Sequence, residues 1–338
     1  MAQLGWVAGP ITLVVFAGVT YYTSVLLTDC YRSGDAVAGK RNYTYMEAVE
    51  SYLGSGQVWF CGLCQYVNLV GTAIGYTITA STSAAALYKA NCFHSGGHSA
   101  DCGVYTTMYM VVFGVSQVVF SQLPNLHEMA WLSILAAVMS FSYSTIGVGL
   151  SLAQTISGPT GKTTMGGTAI GVDVASSAQK IWLTLQALGN IAFAYSYSMV
   201  YCQPIYAAVE SWAAARWPRS DFVVRQYHPF GAGKFSVNMF RLAWRTSFVV
   251  VSTVLAILLP FFNDILGLLG AVGFWPLTVY FPVEMYIRQS KVKRSSWKWV
   301  ALQSLSLVCF AVTVGVTVAS VQGITQSLKN YVPFKTML

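Results

Sequence analysis

The chain has 338 residues, 55% hydrophobic and only 9% charged, with a formal net charge of +8. Soluble domains carry about 25% charged residues, so this composition argues against a water-soluble fold. The positive balance identifies a nucleic-acid surface only if the basic residues share one accessible face, and their distribution below does not require one.

Eight apolar stretches follow one another at about 7–28, 57–88, 105–123, 131–154, 181–209, 242–260, 265–286 and 298–320. Most reach the ~20 residues that a helix needs to cross a bilayer. No charged residue occurs at 57–88, 105–122 or 130–160. The pattern predicts an all-α, polytopic transmembrane helix bundle of about eight membrane segments, forming a single domain over residues 1–338. Met1 is followed by Ala-Gln-Leu-Gly-Trp without the basic residues of a cleavable signal peptide. The first apolar stretch is therefore expected to act as an uncleaved insertion signal.

Lys and Arg collect on the cytoplasmic side of membrane proteins. Arg32, Lys40 and Arg41 follow the first stretch. Arg216, Arg219, Arg225, Lys234, Arg241 and Arg245 follow the fifth, and Arg288, Lys291, Lys293, Arg294 and Lys298 follow the seventh. The opposite side holds only Lys89, Lys162, Lys180, Lys329 and Lys335. Both termini are thus expected outside and the basic loops inside. The charge needs no nucleic-acid partner; the lipid bilayer is the partner that the composition implies.

Between the first two stretches, Asn42-Tyr-Thr44 has the form of a glycosylation sequon, but its place on the inner side predicts that it is silent. In the second stretch, Cys61 and Cys64 form a CxxC within apolar sequence. A redox pair needs an electropositive, partly exposed setting, so these read as small packing residues. Gln65, Tyr66 and Asn68 are polar groups at bilayer depth, where such residues face the protein interior or a cavity. Gly71 and Gly75 form a GxxxG that favours close helix contact, read as packing within the bundle rather than as a dimer face.

The outer loop after that stretch holds Cys92, His94, His98 and Cys102. A disulfide between Cys92 and Cys102 is the simpler reading of two cysteines ten apart in an oxidising loop. A zinc site from the two Cys and two His is the alternative, although the spacing matches no common zinc motif. Gly158-Pro-Thr-Gly-Lys162-Thr163 lacks the Walker A spacing and a preceding strand, and is read as a turn. Gln186, Gly189, Asn190, Tyr195, Ser196, Tyr197 and Ser198 crowd the fifth stretch. Two readings stand there: a broken helix exposing backbone to a substrate, or hydrogen bonding between helices. Glu47, Glu128, Glu210, Asp264 and Glu284 sit in loops or near segment ends, so no carboxylate is expected at the midplane. His127 and His228 are isolated. No catalytic constellation emerges, and neither an enzyme, a metal nor a cofactor is expected.

Several stretches together resemble plant amino acid permeases of the amino acid/auxin permease family. They are MAQLGWVAGP from Met1, DCYRSGDAVAGKRNYTYMEAV from Asp29, GTAIGYTITAS from Gly71, SLAQTISGPTGKTT from Ser151, QALGNIAFAYSYS from Gln186, LLPFFNDILGLLGAVGFWPLTVYFPVEMYIRQ from Leu258 and LQSLSLVCF from Leu302. The resemblance implies a LeuT-type (APC-like) fold of eleven helices, amino acid and proton symport, and residence in the plasma membrane. It also implies two gaps. MAQLGW closes the family's first helix, so most of that helix is expected to be missing. The AYSYS and QPIYAAVE stretches belong to the family's sixth and eighth helices, so a second gap is expected between them, near Met199–Cys202. Carried over on the resemblance, substrate binding falls to Asn190, Ala192, Phe193, Ala194, Tyr195 and Ser196, and more weakly to Tyr66 and Asn68. The rival reading is a shortened, non-transporting isoform that associates with a full-length permease.

Overall fold

A computed structural model describes residues 3–33, 40–97, 102–122, 130–158, 165–170, 176–195, 203–227, 237–259 and 262–330. Among these residues it is mostly helical, with two short antiparallel pairs, β1 (Arg32–Ser33) with β2 (Lys40–Arg41) and β3 (Gln226–Tyr227) with β4 (Val237–Asn238). The helices are α1 (Gly5–Cys30), α2 (Tyr45–Leu53), α3 (Ser55–Gly96), α4 (Thr106–Ser121), α5 (Ala130–Ile156), α6 (Ser177–Tyr195), α7 (Gln203–Arg216), α8 (Asp221–Val224), α9 (Met239–Leu258), α10 (Phe262–Gly273), α11 (Phe281–Gln289) and α12 (Trp297–Asn330). Six described stretches are long and apolar enough to cross a membrane: Gly5–Cys30, Ser55–Gly96, Ile134–Ile156, Met239–Leu258, Phe262–Gln289 and Trp297–Lys329. The protein is a multi-pass, all-α membrane protein. The third expected segment appears as the shorter apolar helix Thr106–Ser121. The fifth is described as two helices, α6 and α7, on either side of residues 196–202, which lie outside the described residues.

Local chemistry explains several boundaries. α2 starts at a capping box: Glu47 N–H donates to Thr44 Oγ1, and the Thr44 and Tyr43 N–H groups donate to Glu47 Oε2. Asn238 caps α9 by accepting from the Phe240 and Arg241 N–H groups. The stretch Phe274–Tyr280 between α10 and α11 is a π-helix carrying Pro276. Proline supplies no N–H to the helical ladder, and a widened turn accommodates the loss. Pro276 and Pro282 were the visible signals for an irregularity within 265–286, which the hydropathy pattern reads as one ordinary segment.

Two large apolar cores, and a smaller cluster of Ile78, Met110 and Ala256, hold the bundle. One joins α1, α6 and α12 around the π segment through Phe16, Ile191, Ala192, Phe274, Val279 and Leu302. The other packs α2 beneath α1, α3 and α11 through Cys30, Val49, Cys61, Cys64, Phe281 and Met285. Cys61 and Cys64 are buried as free thiols in this core. Gly71 and Gly75 face α10, against Leu269 and against Leu266 and Phe262, so this GxxxG packs internally.

Loop contacts fall into two groups. At one end Gln3 and Gly5 touch 165–168: Thr168 Oγ1 donates to Gln3 Oε1 (3.0 Å), and Gly5 and Gly167 meet backbone to backbone. Both glycines have positive φ, +76° and +78°, and neither has room for a Cβ. At the other end Arg288 Nη1 donates to the Tyr52 carbonyl (2.9 Å), Tyr52 Oη donates to that of Arg32 (2.6 Å), and Gln289 Nε2 donates to that of Asp29 (2.7 Å). A buried ion pair also stands at α7, α9 and the end of α4. Arg245, 2% exposed, donates from Nε to Glu210 Oε1 (2.8 Å) and from Nη1 to the Ser121 carbonyl (2.7 Å), with its guanidinium 5.1 Å from the Tyr206 ring centre.

Candidate transport site on helices α3, α6, α10 and α12

α6 carries five of the six contiguous candidate residues; Ser196 lies outside the described residues. The helix runs unbroken from Ser177 to Tyr195, so the broken-helix reading finds no break among these residues. Gly189 has another role. A Cβ there would meet Val316 Cγ1 at 2.5 Å and the Gly267 Cα at 2.8 Å. A Cβ on Gly270 would overlap the Gly189 carbonyl and reach the Phe193 N at 2.7 Å. α6 and α10 thus meet backbone to backbone across three glycines, as small residues allow in membranes. Ala192 is buried in the core, Ala194 is exposed, and Tyr195 ends the helix with its carbonyl accepting from Thr20 Oγ1 of α1 (3.1 Å).

The two candidate asparagines share an unusual property. Asn68 is 8% exposed; its amide oxygen accepts from Thr72 Oγ1 (3.2 Å) and its Nδ2 is buried without a partner. Asn190 Oδ1 is likewise buried and unpartnered. Leaving a buried polar atom unpaired costs about 1–3 kcal/mol, and each such atom in a native fold calls for an explanation. An N–H donor suits a carboxylate and an amide oxygen suits an ammonium, the two ends of an amino acid. Tyr66 is half-buried near Asn68 on α3. The structure does not bring the two groups together: α10 packs against both α3 and α6, and α3 and α6 do not pack extensively on each other among the described residues.

Sequence reasoning missed a polar cluster at the N-terminal end of α10. Asp264 accepts from Gln186 Nε2 of α6 at Oδ1 and from Ser327 Oγ of α12 at Oδ2 (3.2 Å). A Cβ at Gly323 would overlap Gln186 Nε2 and Asp264 Oδ1, so that glycine admits the pair. One turn further in, Ser320 Oγ is fully buried without a partner beside Gly267, with Asn190 Oδ1 on the same glycine. The available signal was the i, i+4 pair Gln186 and Asn190 on α6 together with Asp264 at the start of an apolar helix. Glu284 is also part of a helix, accepting from Gln303 Nε2 of α12 (2.7 Å). Glu128 lies outside the described residues.

Cys92, in the last turns of α3, is disulfide-bonded to Cys102, with their Cα atoms 6.0 Å apart. No group of three or more metal-ligating His, Cys, Asp or Glu side chains occurs among the described residues; His98 is not one of them.

The family profile described as "Transmembrane amino acid transporter protein" matches residues 1–201 and 198–326. The chain belongs to this family. "Amino acid permease 6" of Arabidopsis thaliana is 44% identical over 421 residues, covering 99% of the chain and 87% of that protein. "Amino acid permease 1" of the same plant is 43% identical over 422 residues, covering 100% and 87%, and "Amino acid permease 8" is 44% identical over 422, covering 100% and 88%. No solved structure matches the chain. The family match comes in two pieces that overlap at 198–201, next to the join expected near Met199–Cys202. The alignments run to about 420 residues against 338 here, so these permeases carry sequence with no counterpart in this chain. α6 and α7, on either side of the join, pack in different neighbourhoods: α6 with α1, α10 and α12, and α7 with α8 and α9.

Proposed function

We propose that this chain is an amino acid permease of the plasma membrane whose family activity is proton-coupled amino acid symport on a LeuT-type bundle of about eight membrane segments. Alone, it moves amino acid weakly or not at all. The observation that carries the reading is the family match in two pieces that overlap at 198–201. It keeps the stretch holding Asn190–Tyr195 and omits the family sequence that follows. Substrate contacts at the midplane of such folds come from opposed helix segments. Here Asn190, Ala192, Phe193, Ala194, Tyr195 and Ser196 offer one side, Tyr66 and Asn68 belong to a second helix, and α10 packs against both. The test is uptake of radiolabelled amino acids by the purified chain in liposomes under an imposed proton gradient. Uptake near background is expected; robust gradient-driven uptake overturns the impairment.

The second reading is a non-transporting form that associates with a full-length permease. It is favoured by α5, whose described side chains from 134 to 156 are all exposed although the helix is apolar. Co-purification from membranes containing a tagged intact permease supports it, and recovery of this chain alone removes it.

A further inference from the structure

We propose that Asp264 is a proton-binding site at the end of the bundle that the basic-residue distribution places outside, and that Gln186 and Ser327 are its positioning residues. The proposal deepens the proton-coupled reading above and rests on it for its biological role.

The geometry is that of a carboxyl group able to exist in either protonation state. Both oxygens of Asp264 are engaged by neutral donors, Gln186 Nε2 and Ser327 Oγ. No cation neutralises it: both ion pairs among the described residues belong to Glu210. From α6 it is faced by Gln186, and from α12 by Gly323 and Ser327. α3 meets α10 through Gly71 and Gly75, opposite Leu269, Leu266 and Phe262, and adds no charge at those contacts. The basic groups nearest in sequence to its partners Gln186 and Ser327 are Lys180, which donates to the Gly166 carbonyl (3.2 Å), and Lys329; neither forms an ion pair with Asp264.

A serine hydroxyl is both donor and acceptor. While Asp264 is ionised, Ser327 donates to Oδ2. When a proton from outside water binds Oδ2, the hydroxyl turns and accepts it, while Gln186 still donates to Oδ1. Proton binding thus reverses one hydrogen bond, and the hydroxyl hydrogen released from Oδ2 is left to solvent at the half-exposed Ser327. A second, independent observation lies one turn deeper on the same three helices: Ser320 Oγ, fully buried and unpartnered, and the unpartnered Asn190 Oδ1, both beside Gly267. A small protonated or hydrogen-bonding species arriving from Asp264 finds its next partners there. The cluster links one of the α6 asparagines read as substrate-binding to a titratable group.

The test is infrared difference spectroscopy of the intact chain in lipid, acidified stepwise. A carboxyl C=O band, resolved from those of the other Asp and Glu side chains as the difference between wild type and variant, is expected to appear on acidification, vanish in Asp264→Asn, persist in Glu284→Gln and titrate with a moved midpoint in Ser327→Ala. Persistence of the band in Asp264→Asn overturns the proposal. Should Asp264→Asn fail to assemble, Ser327→Ala decides, and an unmoved midpoint overturns it. The outcome is separable from transport. The band without uptake leaves the site standing and agrees with the impairment proposed above; uptake without the band overturns both the impairment and the site while leaving symport standing.

Discussion

α5 and α10 are both apolar helices, yet they have opposite fates. In the span Phe262–Gln289, 67% of the most apolar window is buried in the bundle; in Ile134–Ile156 the figure is 0%. Hydropathy does not separate them, because lipid tails are as apolar as leucine and give apolar side chains no reason to leave lipid for protein. Relief separates them. Gly267 and Gly270 let α6 lie against α10, and Gly71 receives Leu269. α5 has small residues as well, but Gly147 and Gly149 have nothing within 4 Å. A small residue therefore builds an interface only where a second helix supplies the complementary surface.

The largest effect that sharpens this contrast is expected at the buried ion pair, the polar counterpart of the glycine contacts. Arg245→Ala leaves Glu210 facing α9 without its main partner, and breaking a buried pair costs about 3–5 kcal/mol. Thermal unfolding in detergent is expected to fall steeply; a melting temperature equal to wild type would show that the pair holds nothing together. Gly270→Val drives a side chain into the Gly189 backbone, where neither main chain can yield. Overpacking of this kind is expected to cost about 3 kcal/mol and to appear as loss of the monodisperse peak in size-exclusion chromatography.

The third test replaces packing by a covalent link. Cys92→Ser with Cys102→Ser opens the 10-residue closure that ties the last turns of α3 to the segment after it, for which about 2–3 kcal/mol is expected in the chain-entropy account. Mass spectrometry of alkylated native protein checks the bond itself: two labelled thiols would refute it. Smallest is Gly147→Val on α5, expected to stay within about 0.5 kcal/mol because it meets no neighbour. A loss comparable to that of Gly270→Val would break the comparison and reveal a partner on α5.

Much of the site was legible in part. Asn68 and Asn190 stand out as amides in apolar sequence, and both hold buried orphan atoms. Gly189 was legible as special but for the wrong reason: a glycine in a helix marks either a break or a close neighbour, and only the position of α10 distinguishes them. Asp264 reads as a segment-end carboxylate because the chain alone does not show that Gln186, 78 residues earlier, and Ser327, 63 residues later, converge on it.

The sequence by itself determined that this is a multi-pass helical protein, where most of its apolar helices lie and which family it belongs to. Each of these follows from local composition or from matched residue order, since transfer of a helix into lipid depends on that helix alone. Tertiary structure alone decided that α10 lies between α3 and α6, that α5 stands bare, that the π segment interrupts the seventh apolar stretch, and that three helices share one carboxylate. Those outcomes depend on shape and hydrogen-bond complementarity between residues far apart in the chain, which no single stretch encodes.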